Sequence, residues 1–280
     1  MNRNLEEELI LLAIQEDAGT GDFTSLACIP HSEKSKARLI AKENGILAGI
    51  RVAKLVFGMI DPELQINTFL HDGSRVTKGD IAFIVRGNSR SILQSERLVL
   101  NFLQRMSGIA TITDKYVQHL KGFSTRVLDT RKTTPGLRHF EKEAVRIGGG
   151  TNHRMGLFDM IMIKDNHIDM SGGIEKTIDR VHQYLDNNHL DIQIEIEART
   201  IDDVKKIMNY GGINRIMFDN FDIPQTREAI QIINGKFETE SSGGITLDNI
   251  RDYAMCGVDF VSIGALTHHI QSLDMSLKAL

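Results

Sequence analysis

The chain is poor in cysteine, with only Cys28 and Cys256, which lie far apart and outside any Cys-x-x-Cys pair. This gives no sign of a disulfide framework or of a thiolate zinc site and favours a reducing compartment. The sequence also lacks a run of about 18 apolar residues, so we expect no membrane span. The acidic start of the chain has neither the basic residues nor the apolar run of a signal peptide. We therefore expect a cytoplasmic protein.

Basic residues are not in excess, because 33 Lys and Arg face 37 Asp and Glu, for a formal net charge of −4. The overall charge thus gives no reason to expect nucleic acid as a partner. Two phosphate-binding signatures are also missing, GxxxxGK[ST] and a strand-linked GxGxxG, so an NTP or dinucleotide site has no support. The length of 280 residues suits a barrel-sized domain with a smaller companion.

The two halves of the chain differ in pattern. Before about residue 125, apolar spacing predicts amphipathic helices over 5–16 and 91–105, and alternation predicts strands over 38–48 and 65–70. Beyond it, short strand-like runs alternate with longer helical segments, which indicates β/α units and a parallel sheet. The strands predicted in this second half are 126–128, 160–163, 192–196, 215–218, 237–239 and 260–263.

Charged residues or glycine follow each predicted strand of the second half. In α/β barrels the carboxyl ends of the strands meet at one mouth, where the reacting groups lie. At a single strand end, a charged residue more often shows only that the strand leaves the core there. Repetition at every strand end favours a polar site. The segments concerned are 129–132, 164–167, Glu197, 219–220, 240–244 and Gly264.

Cationic side chains are concentrated at these strand ends. An arginine fork binds carboxylates and phosphates through paired hydrogen bonds, and lysine adds a compact charge. We therefore predict a ligand with several carboxylate or phosphate groups, although an isolated Arg-Lys pair is more often solvated surface. The candidate cations are Arg131, Lys132, His153, Arg154 and Lys164.

Two carboxylates, Glu197 and Asp219, end neighbouring predicted strands. Beside a phosphate site they suit Mg²⁺, held directly or through water. Glu195 alternates with Glu197 on the same strand face, so either residue can fill that role. A salt bridge to the basic cluster is the alternative use of these carboxylates, and the two uses are compatible. Glycines at the last strand ends can turn backbone N–H groups towards phosphate, although many such triplets are plain turns.

Several motifs, in order along the chain, resemble the quinolinate phosphoribosyltransferase family. The most specific are DTRKTTPG at 129–136 and IKDNH at 163–167. The resemblance runs from about residue 16 nearly to the C-terminus. The pattern is completed by SER at 95–97, GGG at 148–150, NHR at 152–154, EIE at 195–197, FDN at 218–220, ESSGG at 240–244 and GALTH at 264–268.

The resemblance implies an α/β fold in two domains. An α/β sandwich would comprise residues 1–108 with 266–280, including the last helix, and an incomplete α/β barrel would span 109–265, the type II phosphoribosyltransferase fold. It also implies a homodimer in which the sandwich of one subunit covers the barrel mouth of the other. Arg97 would then act in the partner's site, and assembly beyond the dimer stays open.

The resemblance further implies a reaction. Phosphoribosyl pyrophosphate and quinolinate would give nicotinate mononucleotide, CO2 and pyrophosphate, a step of NAD biosynthesis. Lys132, Glu197 and Asp219 would carry catalysis, with Mg²⁺ at Glu197 and Asp219. Thr130 would join the substrate-binding residues. The carboxylates of quinolinate would be held by Arg97, Arg131, His153, Arg154 and Lys164, and phosphoribosyl pyrophosphate by Lys132, Glu197, Asp219, Ser242, Gly243, Gly244, Gly264 and His268.

Two rival functions stay open at this point. A related phosphoribosyltransferase acting on another anion, such as the paralogues beside molybdate transport genes, would share the fold. The block at 164–167 after Leu157-Phe158-Asp159 favours quinolinate. A non-catalytic anion-binding barrel is the rival from a different class, and it would gain nothing from the carboxylates Glu197 and Asp219.

Overall fold

A computed structural model describes residues 3–280, with side chains from Leu5 onward. Within that range no helix is long and apolar enough to cross a membrane, and both cysteines are free. The chain forms two compact units. The first contains the residues up to Asp114, Thr133–Gly149 and Leu266–Leu280, and the second contains Lys115–Lys132 and Gly150–Ala265.

Helices and strands are numbered along the chain. The helices are α1 (Arg3–Ala18), α2 (Phe23–Cys28), α3 (Ile50–Ile60), α4 (Ser89–His119), α5 (Arg138–Ile147), α6 (Asp165–Ser171), α7 (Ile174–Asn188), α8 (Ile201–Tyr210), α9 (Ile223–Ile233), α10 (Ile250–Cys256) and α11 (Ala265–His268). The strands are β1 (Lys34–Ala41), β2 (Gly45–Ile46), β3 (Gln65–Thr68), β4 (Arg75–Val76), β5 (Ile81–Asn88), β6 (Arg126–Leu128), β7 (Ile161–Ile163), β8 (Ile194–Ala198), β9 (Arg215–Asp219), β10 (Glu238–Ser242), β11 (Phe260–Ser262) and β12 (Met275–Ala279).

The first unit is built on an antiparallel sheet with the strand order β12-β1-β5-β3. Leu39 of β1 pairs with Leu277 on one side and with Phe83 on the other, and all three side chains are buried. The ring of Phe83 meets Phe57 of α3 edge-on, with ring centroids 5.9 Å apart. The alternation of buried and exposed residues in β1 therefore gives the sheet one apolar face, against which α3 packs.

The C-terminal contribution to this unit differs from the helix that the resemblance implies. The last element is the strand β12, which pairs antiparallel with β1, and only the short α11 precedes it. Met275 and Leu277 are buried while Lys278 and Ala279 are exposed. Apolar residues two apart line one face of a strand but not one face of a helix, so this segment completes the sheet.

Helix α4 extends well beyond the predicted span of 91–105 and runs unbroken through residue 108. The compact units divide the chain after Asp114, within α4. Gly108 lies inside this helix. A Cβ on Gly108 would overlap the backbone carbonyl oxygen of Gln271 and would lie 3.1 Å from Cα of Ser272. Glycine thus allows the segment before β12 to approach the helix closely.

The second unit contains a six-stranded parallel sheet in the order β6-β11-β10-β9-β8-β7. Each of β8 to β11 pairs with the strand before it, as in an α/β barrel, and β11 pairs with β6. Thr151 bridges to Leu128 on the free side of β6. Among residues 3–280, no pairing joins Thr151 to β7, so the barrel is incomplete. The predicted α/β class is confirmed.

Local sequence signals fix where the helices of this unit begin. The Thr200 side chain accepts the backbone N–H of Asp203 at the start of α8, and Asp222 with Gln225 forms a capping box at the start of α9. Capping satisfies backbone N–H groups that have no partner within the helix. Because these caps lie just after β8 and β9, the loops that follow the two strands are short.

Replacing Gly108 with alanine should lower the free energy of unfolding by about 1–3 kcal/mol, the usual cost of overpacking a filled site. Gly58→Ala in α3 is the matched control, since a Cβ there would meet nothing within 4 Å. Alanine has a higher helix propensity than glycine, so Gly58→Ala should leave the free energy of unfolding unchanged or raise it by up to about 1 kcal/mol. Urea denaturation of both variants measures the difference. Equal effects would contradict the close packing at Gly108.

Candidate active site

A cavity of about 250 Å³ lies in the second unit, where the carboxyl ends of the parallel strands meet. It brings together most of the site residues that the sequence predicts for this unit. These are Thr130, Arg131, Lys132, His153, Arg154, Lys164, Glu197, Asp219 and Ser242. Met162, Met217, Glu240 and Ser262 complete the lining and were not predicted as site residues.

Strand register arranges the inward-facing side chains in levels. Asp219 pairs with Ser242, and Ser242 pairs with Ser262, at the carboxyl end of the sheet. One step deeper, Met217 pairs with both Glu197 and Glu240. Deeper again, Arg215 pairs with Glu195 and Glu238. Because side chains two residues apart share a face, all three levels point to the same side of the sheet.

Positive charge dominates the upper part of the cavity. Arg131, Lys132, Arg154 and Lys164 are four permanent cations, and they face only three carboxylates in the lining. Burial, followed by the charge of Arg131, lowers the pKa of Arg154. Two guanidinium groups held this close repel each other until an anion lies between them. The upper cavity is therefore built to take an anionic ligand.

The carboxylates at the cavity occupy different surroundings. Glu197 is nearly buried and accepts a hydrogen bond from Lys164 Nζ at 2.7 Å, so the salt bridge considered from the sequence is present. Asp219 is partly exposed, and its Oδ1 accepts the side-chain N–H of Asn220 at 3.0 Å. Glu195 does not line the cavity, because it lies one level deeper. Glu197 is thus the member of this pair that a ligand can reach.

The glycines after β10 keep the backbone open beside Ser242. Gly243 has φ +99°, and a Cβ there would overlap the side chain of Asn220. Gly244 has φ +63°, which L-residues also rarely adopt. Gly264 lies between β11 and α11. Arg97, exposed on α4, and His268, exposed at the end of α11, belong to the first unit.

A buried ionic cluster adjoins the base of the cavity, and two of its members, His153 and Glu240, belong to the cavity lining. Glu195 and Glu240 are fully buried. His153 Nε2 lies 3.0 Å from Glu195 Oε2 and 3.5 Å from Glu240 Oε2. Arg215 Nη1 lies 3.2 Å from Glu240 Oε2 and 3.9 Å from Glu195 Oε2. Two buried carboxylates thus share one arginine and one imidazole.

The two carboxylates titrate at different pH. Burial, followed by the charge of Glu240, raises the pKa of Glu195 to about 7. For Glu240 burial also opposes ionisation, but the hydrogen bond from His153 and the charge of Arg215 outweigh it and lower the pKa. Like charges held this close resist joint ionisation. Glu240 therefore carries the negative charge, whereas Glu195 is protonated in part of the molecules at neutral pH.

The protonation of His153 depends on both of its ring nitrogens. Burial lowers the pKa of His153, but the hydrogen bonds and charges of the two carboxylates outweigh it and raise the pKa to about 9. The backbone N–H of Arg154 opposes that rise, because it donates to Nδ1 at 2.6 Å and a protonated Nδ1 could not accept it. The proton of the imidazole therefore lies on Nε2, facing Glu195.

Two family descriptions match nearly the whole chain. Residues 22–107 match "Quinolinate phosphoribosyl transferase, N-terminal domain", and residues 109–278 match the C-terminal domain of the same family. The chain belongs to the quinolinate phosphoribosyltransferase family. The boundary between the two family segments falls at residue 108, inside α4.

Relatives and solved structures of the quinolinate phosphoribosyltransferase family resemble the chain over its full length. "Quinolinate phosphoribosyltransferase [decarboxylating] 2b, mitochondrial" of Nicotiana tabacum is 46% identical over 97% of this chain and 81% of its own length. "Probable nicotinate-nucleotide pyrophosphorylase [carboxylating]" of Bacillus subtilis is 40% identical over 99% of this chain and 94% of its own. NadC from Streptococcus pyogenes has a TM-score of 0.93 at 38% identity, covering 99% of this chain and 97% of that one.

Sequence reasoning missed the inward role of Glu240. The predicted strand 237–239 stops short, whereas β10 runs to Ser242. Glu240 therefore lies inside a strand and not in the loop that follows it. The sequence did contain a signal for a longer strand. Glu238, Glu240 and Ser242 recur at every second position, as Glu195 and Glu197 do, and this spacing is typical of one face of a strand. Met162, Met217 and Ser262 carry no charge and gave no signal of a site.

Replacing Glu195 with glutamine should make stability less sensitive to pH. The raised pKa means that folding favours the protonated carboxyl, so this contribution is full below about pH 4.5 and is lost as pH rises through about 7. The amide mimics the protonated acid. We expect the parent to lose about 1–3 kcal/mol relative to Glu195→Gln between pH 5 and 8, measured by urea denaturation without metal. Parallel pH profiles would contradict the assignment.

Proposed function

We propose that the chain transfers the phosphoribosyl group of phosphoribosyl pyrophosphate to quinolinate with decarboxylation, yielding nicotinate mononucleotide, CO2 and pyrophosphate. Membership of the quinolinate phosphoribosyltransferase family supports this reaction. The observation that carries it is the lining of one cavity by four cations together with Glu197 and Asp219. A plain anion-binding site would be weakened by the carboxylates, whereas a site for a metal-bound diphosphate needs both kinds of charge.

Quinolinate carries two carboxylates on adjacent ring carbons, and the cationic side of the cavity fits such a dianion. Arg131 and Arg154 lie close enough for the charge of one to lower the pKa of the other. Each guanidinium can bind a carboxylate through two hydrogen bonds, which fixes the plane of the pyridine as well as its position. Lys164, half exposed at the end of β7, adds a further positive charge.

We propose that Mg²⁺ and phosphoribosyl pyrophosphate occupy the side of the cavity formed by β8 to β11. Glu197 and Asp219 offer carboxylate oxygens, the donors that Mg²⁺ prefers, and the partly exposed Asp219 leaves room for water ligands. Bound Mg²⁺ would offset charge on the departing pyrophosphate. Lys132 would add a second positive charge there, and Ser242 with Gly243 and Gly244 would receive the phosphates through hydroxyl and backbone N–H groups.

The chemistry then follows from position and charge. The ring nitrogen of quinolinate forms a bond to the anomeric carbon while the bond to pyrophosphate breaks, and the arginines hold the nitrogen in line. The nitrogen becomes a pyridinium. The carboxylate beside it leaves as CO2, its bonding electrons stay on the ring carbon, and a proton from solvent replaces it. No covalent protein nucleophile is required.

Arg97 and His268 belong to the first unit, and we propose that they act in the site as the family resemblance implies. Arg97 would reach the site of a partner subunit in a homodimer, which gives its exposed position on α4 a purpose. His268 would meet phosphoribosyl pyrophosphate. A cytoplasmic location remains a prediction from the sequence.

The reaction can be tested by incubating the protein with quinolinate, phosphoribosyl pyrophosphate and Mg²⁺ and detecting nicotinate mononucleotide by mass. Arg131→Ala should lower kcat/KM about 10- to 100-fold, the value of a hydrogen-bonded charge pair. Lys205→Ala, an exposed cation on α8, should leave the rate unchanged. Chelation of Mg²⁺ should abolish product.

Absence of product from folded parent protein would contradict the proposed reaction. Thermal shifts then separate the rivals. An Mg²⁺-dependent shift with phosphoribosyl pyrophosphate would indicate a phosphoribosyltransferase that acts on another anion. A shift with simple anions that does not depend on Mg²⁺ would indicate an anion-binding protein.

Subunit mixing tests the role of Arg97. We expect Arg97→Ala and Arg131→Ala to be nearly inactive alone, since each lacks one contact to the dianion. In a mixed dimer, one site has an intact Arg131 and receives an intact Arg97 from its partner. Random exchange should therefore restore about a quarter of the parent activity. If mixing restores nothing while subunit exchange is proven by differently tagged chains, Arg97 does not act across an interface.

A further inference from the structure

His153 lies at the cavity, but both of its ring nitrogens lie against other groups of the protein. Its backbone N–H donates to Oδ1 of the buried Asp129 at 2.9 Å. Its Nδ1 accepts the backbone N–H of Arg154, and its Nε2 faces Glu195 Oε2 at 3.0 Å. An imidazole has only two polar atoms. A substrate carboxylate would have to displace one of these contacts to reach the ring.

The direction of these hydrogen bonds fixes the tautomer of His153. A backbone N–H can only donate, so Nδ1 is the acceptor and carries no proton. The proton then lies on Nε2, which is 3.0 Å from Glu195 Oε2 and 3.5 Å from Glu240 Oε2, and both carboxylates are fully buried. Arg215 Nη1, 3.2 Å from Glu240 Oε2, neutralises that carboxylate. The buried cluster is thus balanced with a neutral imidazole.

Arg154 is the residue that this arrangement controls. Its backbone N–H is held by His153, and its own guanidinium lines the cavity. The guanidinium has few other constraints, since Nη1 reaches the carbonyl oxygen of Met160 only at 3.4 Å. Orientation of an arginine fork decides whether it binds a carboxylate in bidentate fashion. A fixed backbone at residue 154 therefore has direct consequences for the ligand.

We propose that His153 is a positioning residue and not a substrate ligand: Glu195 and Glu240 hold its imidazole in the Nε2-protonated form, and its Nδ1 fixes the backbone from which Arg154 binds the quinolinate carboxylate. This inference rests on the proposed function for the identity of the ligand. It assigns Glu195, Glu240 and Arg215 a role in substrate binding although none of them needs to touch the substrate.

The same cluster could be taken for a metal site, because one imidazole nitrogen and two carboxylate oxygens lie within 4.8 Å of one another. Arg215 argues against that use. Its guanidinium lies 3.2 Å from Glu240 and 3.9 Å from Glu195, so a cation already occupies the carboxylate oxygens that a metal would need.

A double-mutant cycle on the full enzyme tests the positioning role. His153→Ala should raise KM for quinolinate about tenfold, as the loss of a buried hydrogen bond would, and leave KM for phosphoribosyl pyrophosphate within about twofold. In an Arg154→Ala background the same change should matter less than about twofold, because residues that act through one another are not additive. In a Lys164→Ala background it should keep its full effect, since Lys164 is held by Glu197.

His153→Asn provides a milder variant in case the alanine variant fails to fold. The asparagine oxygen can take the place of Nδ1 as acceptor, so this variant should recover most of the quinolinate affinity that alanine loses. A direct cationic ligand would lose its charge in both variants and would show equal losses. Equal losses, or a full tenfold effect of His153→Ala in the Arg154→Ala background, would overturn the proposal.

Nitrogen NMR of the ligand-free enzyme, labelled at its histidines, provides a second readout. The His153 signals, identified by their absence from His153→Asn, should show one protonated and one unprotonated ring nitrogen at neutral pH. Two protonated nitrogens would overturn the proposal. Because this measurement needs no substrate, it tests the positioning role even if the parent enzyme makes no product, an outcome that would count against the proposed function alone.

Discussion

The burial of two carboxylates inside an incomplete barrel is the constraint around which the second unit is arranged. Glu195 and Glu240 are fully buried, and a buried carboxylate without compensation would cost several kcal/mol. Arg215 provides part of the compensation, and its guanidinium also lies over the ring of Phe260 at 4.0 Å. His153 provides the rest from the loop after Thr151. Removing Arg215 would leave the charge of Glu240 uncompensated in the core, so this carboxylate depends on its partners.

The levels of the barrel connect this cluster to the cavity above it. Because inward-facing residues recur every second position, the strand that buries Glu195 must also present Glu197 one level higher, and the strand that holds Arg215 must end in Asp219. The lower level is compact and nearly neutral, whereas the upper level is open and carries an excess of cations. The same alternation of inward-facing residues therefore supplies both the buried ionic cluster and the polar lining of the cavity.

The sequence predicted those features that repeat or that carry charge at a strand end. The six parallel strands follow from alternating β/α patterns, and Arg131, Lys164, Glu197 and Asp219 follow from their positions just beyond or at the last strand residues. It could not predict how far β10 extends, because Thr239 to Ser242 are polar and resemble a loop, yet these residues pair with the neighbouring strands and the first three of them are buried. It also gave no warning of β12, since a short segment pairs with β1 only once the sheet exists. Pairing with neighbouring strands, and not local propensity, decides how far β10 extends and whether β12 forms.

The most specific motif of the sequence shows how the backbone that carries two of the cavity's cations, Arg131 and Lys132, is held. Within 129–136, the chain passes from the second unit to the first between Lys132 and Thr133. On one side, buried Asp129 holds the backbone of His153. On the other, Arg105 binds both Thr134 and Glu141, and Glu141 also accepts the backbone N–H of Thr134. Arg131 and Lys132 lie between these two points, so the chain is held on either side of them, by a contact within the second unit before them and by contacts within the first unit after them. A loop fixed in this way loses little conformational entropy when an anion binds, which is the condition for using binding energy on orientation and not on ordering the protein.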